Sequence, residues 1–165
     1  MKNTFSVGYG RKQLSGPLPI NTWNSTADVY RDPLYLTCIA FSDGENTALV
    51  MSADVMKVDG TAFEECARRL GEKLGIERKS IMIHAIHSHY APTITRTCSW
   101  AETFFDAALA ATESALADLS PGKLSETKRT AMLRQIKANG LISLAFCDFC
   151  KLLRMLLAGH FSMHI

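Results

Sequence analysis

Strand-like and helix-like segments alternate through most of this 165-residue chain, and this alternation limits its fold more than any other feature. Two apolar runs rich in β-branched and aromatic residues, LYLTCIAFS (34–42) and TALVMSA (47–53), flank the turn sequence DGEN. They predict two strands joined by a tight reversal. SIMIHAIHSH (80–89) predicts a third long strand, and a short strand is expected near 5–9.

Two segments have the apolar periodicity of amphipathic helices. The first helix is predicted over 61–75, with Gly75 as its end, and the second over 98–119. Each helix is predicted to begin with a capping box, formed by Thr61 with Glu64 and by Ser99 with Glu102. The larger apolar residues of the second helix lie on one stripe, which comprises Phe105, Leu109, Leu116 and Leu119. Strands alternating with helices indicate a layered α/β architecture.

The sequence changes character near residue 125. Residues 1–124 contain 12 Lys+Arg and 14 Asp+Glu, whereas residues 125–165 contain 6 and 2. We therefore predict two parts: 1–124, the N-terminal part of an α/β domain, and 125–165, a divergent, basic and apolar helical tail. Three charged residues interrupt the apolar run at 141–161, and each costs about 2.5–3.5 kcal/mol at the centre of a bilayer. The run therefore predicts no transmembrane span, but an apolar helix that could mediate self-association.

The composition excludes several classes of function. A formal charge of +2 without a basic-aromatic patch gives no support for a nucleic-acid partner. Neither a glycine-rich phosphate loop nor a serine-centred elbow is present. The five cysteines are scattered, and the first residues lack the apolar core of a secretory signal. We therefore expect reduced thiols and a cytoplasmic location.

Three of the five histidines lie in HAIHSHYAP (84–92), at the end of the third predicted strand. Side chains alternate along a strand, so His87 and His89 are expected on one face and His84 on the other, as a buried core residue. Two neighbouring imidazoles can share a zinc ion. The carboxyl end of a strand is also where sites collect in α/β sheets. The alternative is that His87 and His89 are structural polar residues that close the strand.

The segment SIMIHAIHSHYAP (80–92) resembles the Ser-Gly-Thr-His-Thr-His-Ser-Gly-Pro motif of the neutral/alkaline (non-lysosomal) ceramidase family, which lies in its N-terminal catalytic domain. His87, His89 and Pro92 match directly, and Ala85, Ser88 and Ala91 are conservative replacements for Gly, Thr and Gly. VGYG (7–10) and the stretch 31–56 resemble further family segments in the same order. The resemblance covers residues 5–124 and does not extend into the tail.

The resemblance implies that the chain is an incomplete portion of a larger catalytic domain. Ceramidases hydrolyse a lipid amide, N-acyl sphingosine, to a fatty acid and sphingosine, with one zinc ion held by two His, one Glu and one Tyr. By position, His87 is the expected metal ligand and His89 the catalytic residue beside it, although the reverse assignment stays open. Asp54 is either an acceptor that orients an imidazole or a local cap. The family's other ligands have no counterpart here, so we expect weak zinc binding and an inactive chain, and whether the chain is an enzyme is left open.

The tail has a metal-binding pattern of its own. Cys147, Cys150, His160 and His164 are spaced C-x₂-C-x₉-H-x₃-H. Their residue types suit zinc, but the usual finger has about twelve residues between the two pairs. Core cysteines on an amphipathic helix are the alternative interpretation. A zinc site in the tail would make the protein a non-catalytic binding or association module.

Overall fold

The computed structural model of this protein describes residues 5–23 and 25–122 of the chain. These residues form a mixed sheet, two helices and two short strand pairs, which confirms the predicted α/β class. The strands are β1 (Ser6–Leu14), β2 (Ile20–Asn21), β3 (Thr26–Ala27), β4 (Leu34–Ser42), β5 (Thr47–Ala53), β6 (Lys57–Val58), β7 (Ile81–Ala85), β8 (Thr93–Ile94) and β9 (Ser120–Pro121), and the helices are α1 (Gly60–Leu74) and α2 (Ala101–Ala117). The five-stranded sheet has the order β7-β5-β4-β1-β9.

The central hairpin of the sheet has the strand bounds that the sequence predicts. β4 and β5 pair antiparallel, in a register that runs from Leu36 opposite Ala53 to Ser42 opposite Thr47. Asp43 closes the turn, because its Oδ1 accepts hydrogen bonds from the backbone N–H groups of the two residues that follow Gly44, at 2.9 and 2.7 Å. β1, predicted as a short strand, extends to nine residues and pairs with β4 along its whole length.

The third predicted strand is shorter in the structure than predicted. β7 ends at Ala85 rather than at His89, and it runs parallel to β5. In this register Ala53 lies beside Ala85, so the carboxyl ends of the two strands meet at one edge of the sheet. The chain leaves the strand at His87, whose backbone has a φ of 66°. A left-handed residue cannot continue a strand, which accounts for the early end.

The first helix begins with a cap that the sequence analysis assigns to the wrong residue. The Oδ1 of Asp59 accepts a hydrogen bond from the backbone N–H of Ala62 at 2.8 Å, so Asp59 is the N-cap of α1. The predicted capping box of Thr61 and Glu64 is therefore wrong. Gly75 ends the helix as predicted, with a φ of 70° and its N–H bonded to the carbonyl of Gly71.

The second helix packs closely on the sheet through small residues. Its N-cap is Trp100, which makes no side-chain cap, so the predicted box of Ser99 and Glu102 is also wrong. The buried face consists mainly of alanines and includes Phe105 of the predicted stripe, whereas the leucines of that stripe are half-buried beside it. A Cβ atom at Gly8 or Gly10 of β1 would collide with carbonyl oxygens of α2. These glycines allow the backbones of strand and helix to approach each other closely.

Both helices cover the same face of the sheet. Leu36, Cys38, Leu49 and Met51 are fully buried against them and form the centre of the core. The opposite face is less covered within the described residues, where apolar side chains such as Val50 are half-buried. This two-layer arrangement is consistent with part of a larger layered domain.

The predictions for 125–165, namely the apolar helix, the self-association surface and the pattern Cys147, Cys150, His160 and His164, lie outside the described residues. Within the part of the chain that is described, no helix has both the length and the apolar character needed to cross a membrane.

Candidate functional site

The histidine loop, defined here as residues 86–92, follows β7 at the edge where the parallel strands end. Its beginning is held by two backbone hydrogen bonds, from Ile86 N–H to the carbonyl of Ala53 and from His87 N–H to that of Val55, each 3.1 Å long. Its end is held by Met56, whose N–H donates to the carbonyl of Pro92 at 3.0 Å. The loop is therefore fixed at both ends to the residues that follow β5.

The two imidazoles of the loop converge. The Nε2 atoms of His87 and His89 are 3.4 Å apart, and their ring centroids are separated by 5.1 Å at an angle of 79°. The structure therefore brings the two predicted site residues together, but in a loop rather than on one face of a strand. Both residues are exposed.

The tautomer of His87 follows from its hydrogen bond. Its Nδ1 lies 3.0 Å from the carbonyl oxygen of Met56. A carbonyl oxygen only accepts, so Nδ1 must carry the proton, and in the neutral ring Nε2 is left with a lone pair. This lone pair is on the nitrogen that faces His89. A histidine whose Nδ1–H is bonded to a backbone carbonyl has the arrangement common among metal ligands.

The separation of the two Nε2 atoms fits one tetrahedral zinc ion. Zn–N bonds of about 2.0–2.1 Å place two ligand nitrogens about 3.3 Å apart across a tetrahedral angle. The observed 3.4 Å agrees with this value. No group of three or more His, Cys, Asp or Glu side chains that could hold a metal occurs in residues 5–23 and 25–122.

His84 does not have the buried position expected for it. It pairs in register with Ser52 and is exposed. The residues on either side of it, Ile83 and Ala85, face the helices, so His84 lies on the face of the sheet that the described helices leave open. The error arises because the sequence does not show which face of the strand is covered.

The carboxylate of Asp54 is hydrogen-bonded to the backbone of the sheet rather than to an imidazole. Its Oδ2 accepts a hydrogen bond from the backbone N–H of Tyr35 at 3.0 Å, and its own N–H donates to the carbonyl of Tyr35 at 2.8 Å. These bonds close the end of the β4–β5 hairpin. The acceptor that orients His87 is instead the carbonyl of Met56.

Trp23 lies beside the histidine loop, and the sequence does not predict this contact. Its ring centroid lies 6.1 Å from that of His89, at an angle of 43°. Trp23 precedes β4 in the chain and has no periodic relation to the histidines, so the sequence gives no signal of the contact. Tyr90, in the same loop, is 82% exposed.

The fold is similar to part of the fold of solved ceramidases. A solved ceramidase, "Ceramidase complexed with C2", superposes with a TM-score of 0.62 at 15% identity, covering 72% of this chain and 22% of its own. The neutral ceramidase from Pseudomonas aeruginosa superposes with a TM-score of 0.62 at 13% identity, covering 83% of this chain and 26% of its own. The chain thus spans about a quarter of the length of these proteins. No family model and no curated protein matches the sequence.

Proposed function

We propose that this chain carries the two-imidazole part of the active site of a zinc-dependent, ceramidase-like amide hydrolase. The observation that supports this proposal best is the convergence of the His87 and His89 Nε2 atoms to 3.4 Å at the carboxyl ends of two parallel strands. The ceramidase-like fold and the sequence resemblance of residues 80–92 support the same function independently.

His87 is the proposed metal ligand. Its ring is fixed on one side by the carbonyl of Met56, and its backbone N–H is fixed by the carbonyl of Val55. Its Nε2 lone pair is thereby directed at a single point beside the loop. When bound there, zinc supplies a Lewis acid and lowers the pKa of a coordinated water.

His89 is the proposed catalytic residue. Its Nε2 faces the same point as that of His87, and its exposed ring is free to meet a substrate. An imidazole N–H at this position can donate a hydrogen bond to the carbonyl oxygen of an amide as negative charge develops on it. The reverse assignment, with His89 as the metal ligand, uses the same geometry.

The proposed substrate class is a lipid amide of the N-acyl sphingosine type, hydrolysed to a fatty acid and an amine. This assignment follows the ceramidases to which the fold is similar. We propose further that the chain by itself binds zinc weakly and does not turn over this substrate. A catalytic zinc site needs three protein ligands and an open position, and the described residues bring at most two imidazoles together here.

The test combines two measurements on the purified full chain: zinc stoichiometry after dialysis, and release of fatty acid from an N-acyl sphingosine. We expect weakly held zinc that is reduced in His87→Ala, and no turnover. Tight one-to-one zinc with turnover that His87→Ala abolishes would contradict the proposed inactivity. Tight zinc that survives His87→Ala but is lost in Cys147→Ala would contradict the site itself and support the non-catalytic binding module.

A further inference from the structure

The two tryptophans of the chain have opposite environments. Trp100 is 2% exposed, and its Nε1–H donates to the carbonyl of Pro17 at 3.0 Å. Trp23 is 65% exposed and reaches the histidine loop through the ring of His89. An exposed indole contributes little to the core, so its position beside an imidazole calls for a local explanation.

The backbone around Trp23 is held by a short hairpin. β2 and β3 pair with Ile20 opposite Ala27, and the Ile20 side chain is buried in the core. Between the strands, Thr22 and Ser25 are joined by hydrogen bonds from Thr22 N–H and Thr22 Oγ1 to the Ser25 carbonyl, at 2.9 and 2.8 Å. This hairpin tip is therefore anchored to the domain, and it presents Trp23 to the histidine loop.

The two histidines are supported in different ways. The ring of His87 is tied to the fold through the carbonyl of Met56. Within the described ranges, the ring of His89 hydrogen-bonds to that of His87 and lies in a tilted contact with that of Trp23. No hydrogen bond ties the His89 ring to the described backbone, so Trp23 is a neighbour that restricts its orientation.

We propose that Trp23 is a positioning residue for His89, and that it keeps the Nε2 of His89 directed at the point shared with His87. This inference rests on the proposed function, in the assignment in which His89 contacts the metal together with His87. Without the indole, the His89 ring gains rotamers that do not face His87. Metal binding must then order the ring, and this lowers the affinity for the metal. A phenyl ring at position 23 preserves most of the stacking, whereas a methyl group does not.

The experiment is a zinc titration of the metal-free full chain, followed by the NMR signals of the histidine rings and of the two indole N–H groups. The variants are Trp23→Ala, Trp23→Phe, His87→Ala and, as a control at an exposed apolar residue outside the contact, Val29→Ala. We expect Trp23→Ala to weaken zinc binding about two- to tenfold, the range that an aromatic pair supplies, and Trp23→Phe to restore it to within about twofold. Val29→Ala leaves binding unchanged, and zinc shifts the indole signal of Trp23 more than that of Trp100.

The outcomes separate this inference from the proposed function. If His87→Ala weakens zinc binding but Trp23→Ala does not, the positioning role is overturned and the metal site stands. If His87→Ala binds zinc as the wild type does, both are overturned. Should Trp23→Ala fail to fold, Trp23→Phe and the indole signals still decide, because a zinc titration that leaves the Trp23 signal unmoved contradicts the contact.

Discussion

The left-handed backbone of His87 predicts an unusual order of stability among variants at this position. A non-glycine residue at a φ of 66° costs about 1–2 kcal/mol through contact of its Cβ with the backbone. Glycine removes this cost but makes the unfolded chain more flexible, at about 0.4–1 kcal/mol. We therefore expect His87→Gly to be more stable than His87→Ala by about 0.5–1 kcal/mol.

The hydrogen bond of the His87 side chain determines how stable the wild type is relative to these two variants. Both variants lose the hydrogen bond from Nδ1 to the carbonyl of Met56, which contributes about 0.5–1.5 kcal/mol. His87→Ala keeps the strain and loses the bond, so it should be less stable than wild type by about 1 kcal/mol. In His87→Gly the two effects oppose each other, and its stability should lie near that of wild type.

The assay is urea unfolding of the metal-free chain in the presence of a chelator, because bound zinc would stabilise the wild type alone. Gly75→Ala is the matched control. Gly75 has a φ of 70°, so adding a Cβ there should lower the stability by about as much as removing the Cβ at position 87 raises it. If His87→Ala is as stable as His87→Gly while Gly75→Ala is destabilised, then His87 is not left-handed and the geometry of the histidine loop is wrong.

Three further predictions concern the body of the domain. Gly10→Ala should destabilise by about 1–3 kcal/mol in urea unfolding, because its Cβ meets the backbone of α2; an unchanged midpoint would contradict the close packing. Hydrogen bonds from Arg68 and Arg69 lower the pKa of Glu65 from 4.5 to about 2. The ionised Glu65 side chain therefore contributes to stability above pH 4.5, and this contribution is lost as the pH falls toward 2. The stability difference between wild type and Glu65→Gln should therefore shrink over that range, and a difference independent of pH would refute the assignment. Burial raises the pKa of Cys38 to about 11 and of Cys66 to about 12, so iodoacetamide should label neither in the native protein at mildly alkaline pH, as peptide mapping would show.

Much of the fold could be predicted because its strands are encoded locally. The bounds of β4 and β5 follow from two apolar runs around a turn, and the end of α1 follows from one glycine. The N-termini of the helices were harder to predict. Asp59 and Thr61 are both good capping residues within one turn, and only the backbone conformation decides between them.

The site could be predicted in its residues but not in its geometry. The spacing of His87 and His89 suggested a shared face of a strand, whereas a left-handed residue turns the chain and brings the rings together in a loop. Nothing in the local sequence indicates a positive φ at a histidine. The contact of Trp23 with His89 joins segments that are distant in the chain, and local patterns do not predict such contacts.

The most direct test of the metal site is X-ray absorption spectroscopy of the zinc-loaded full chain, compared with its His87→Ala variant. We expect light-atom scattering at about 2.0–2.1 Å with the multiple-scattering pattern of imidazole, and a reduced imidazole contribution in His87→Ala. Sulfur scattering at about 2.3 Å that persists in the variant would place the metal on cysteines, and would contradict the assignment of zinc to His87.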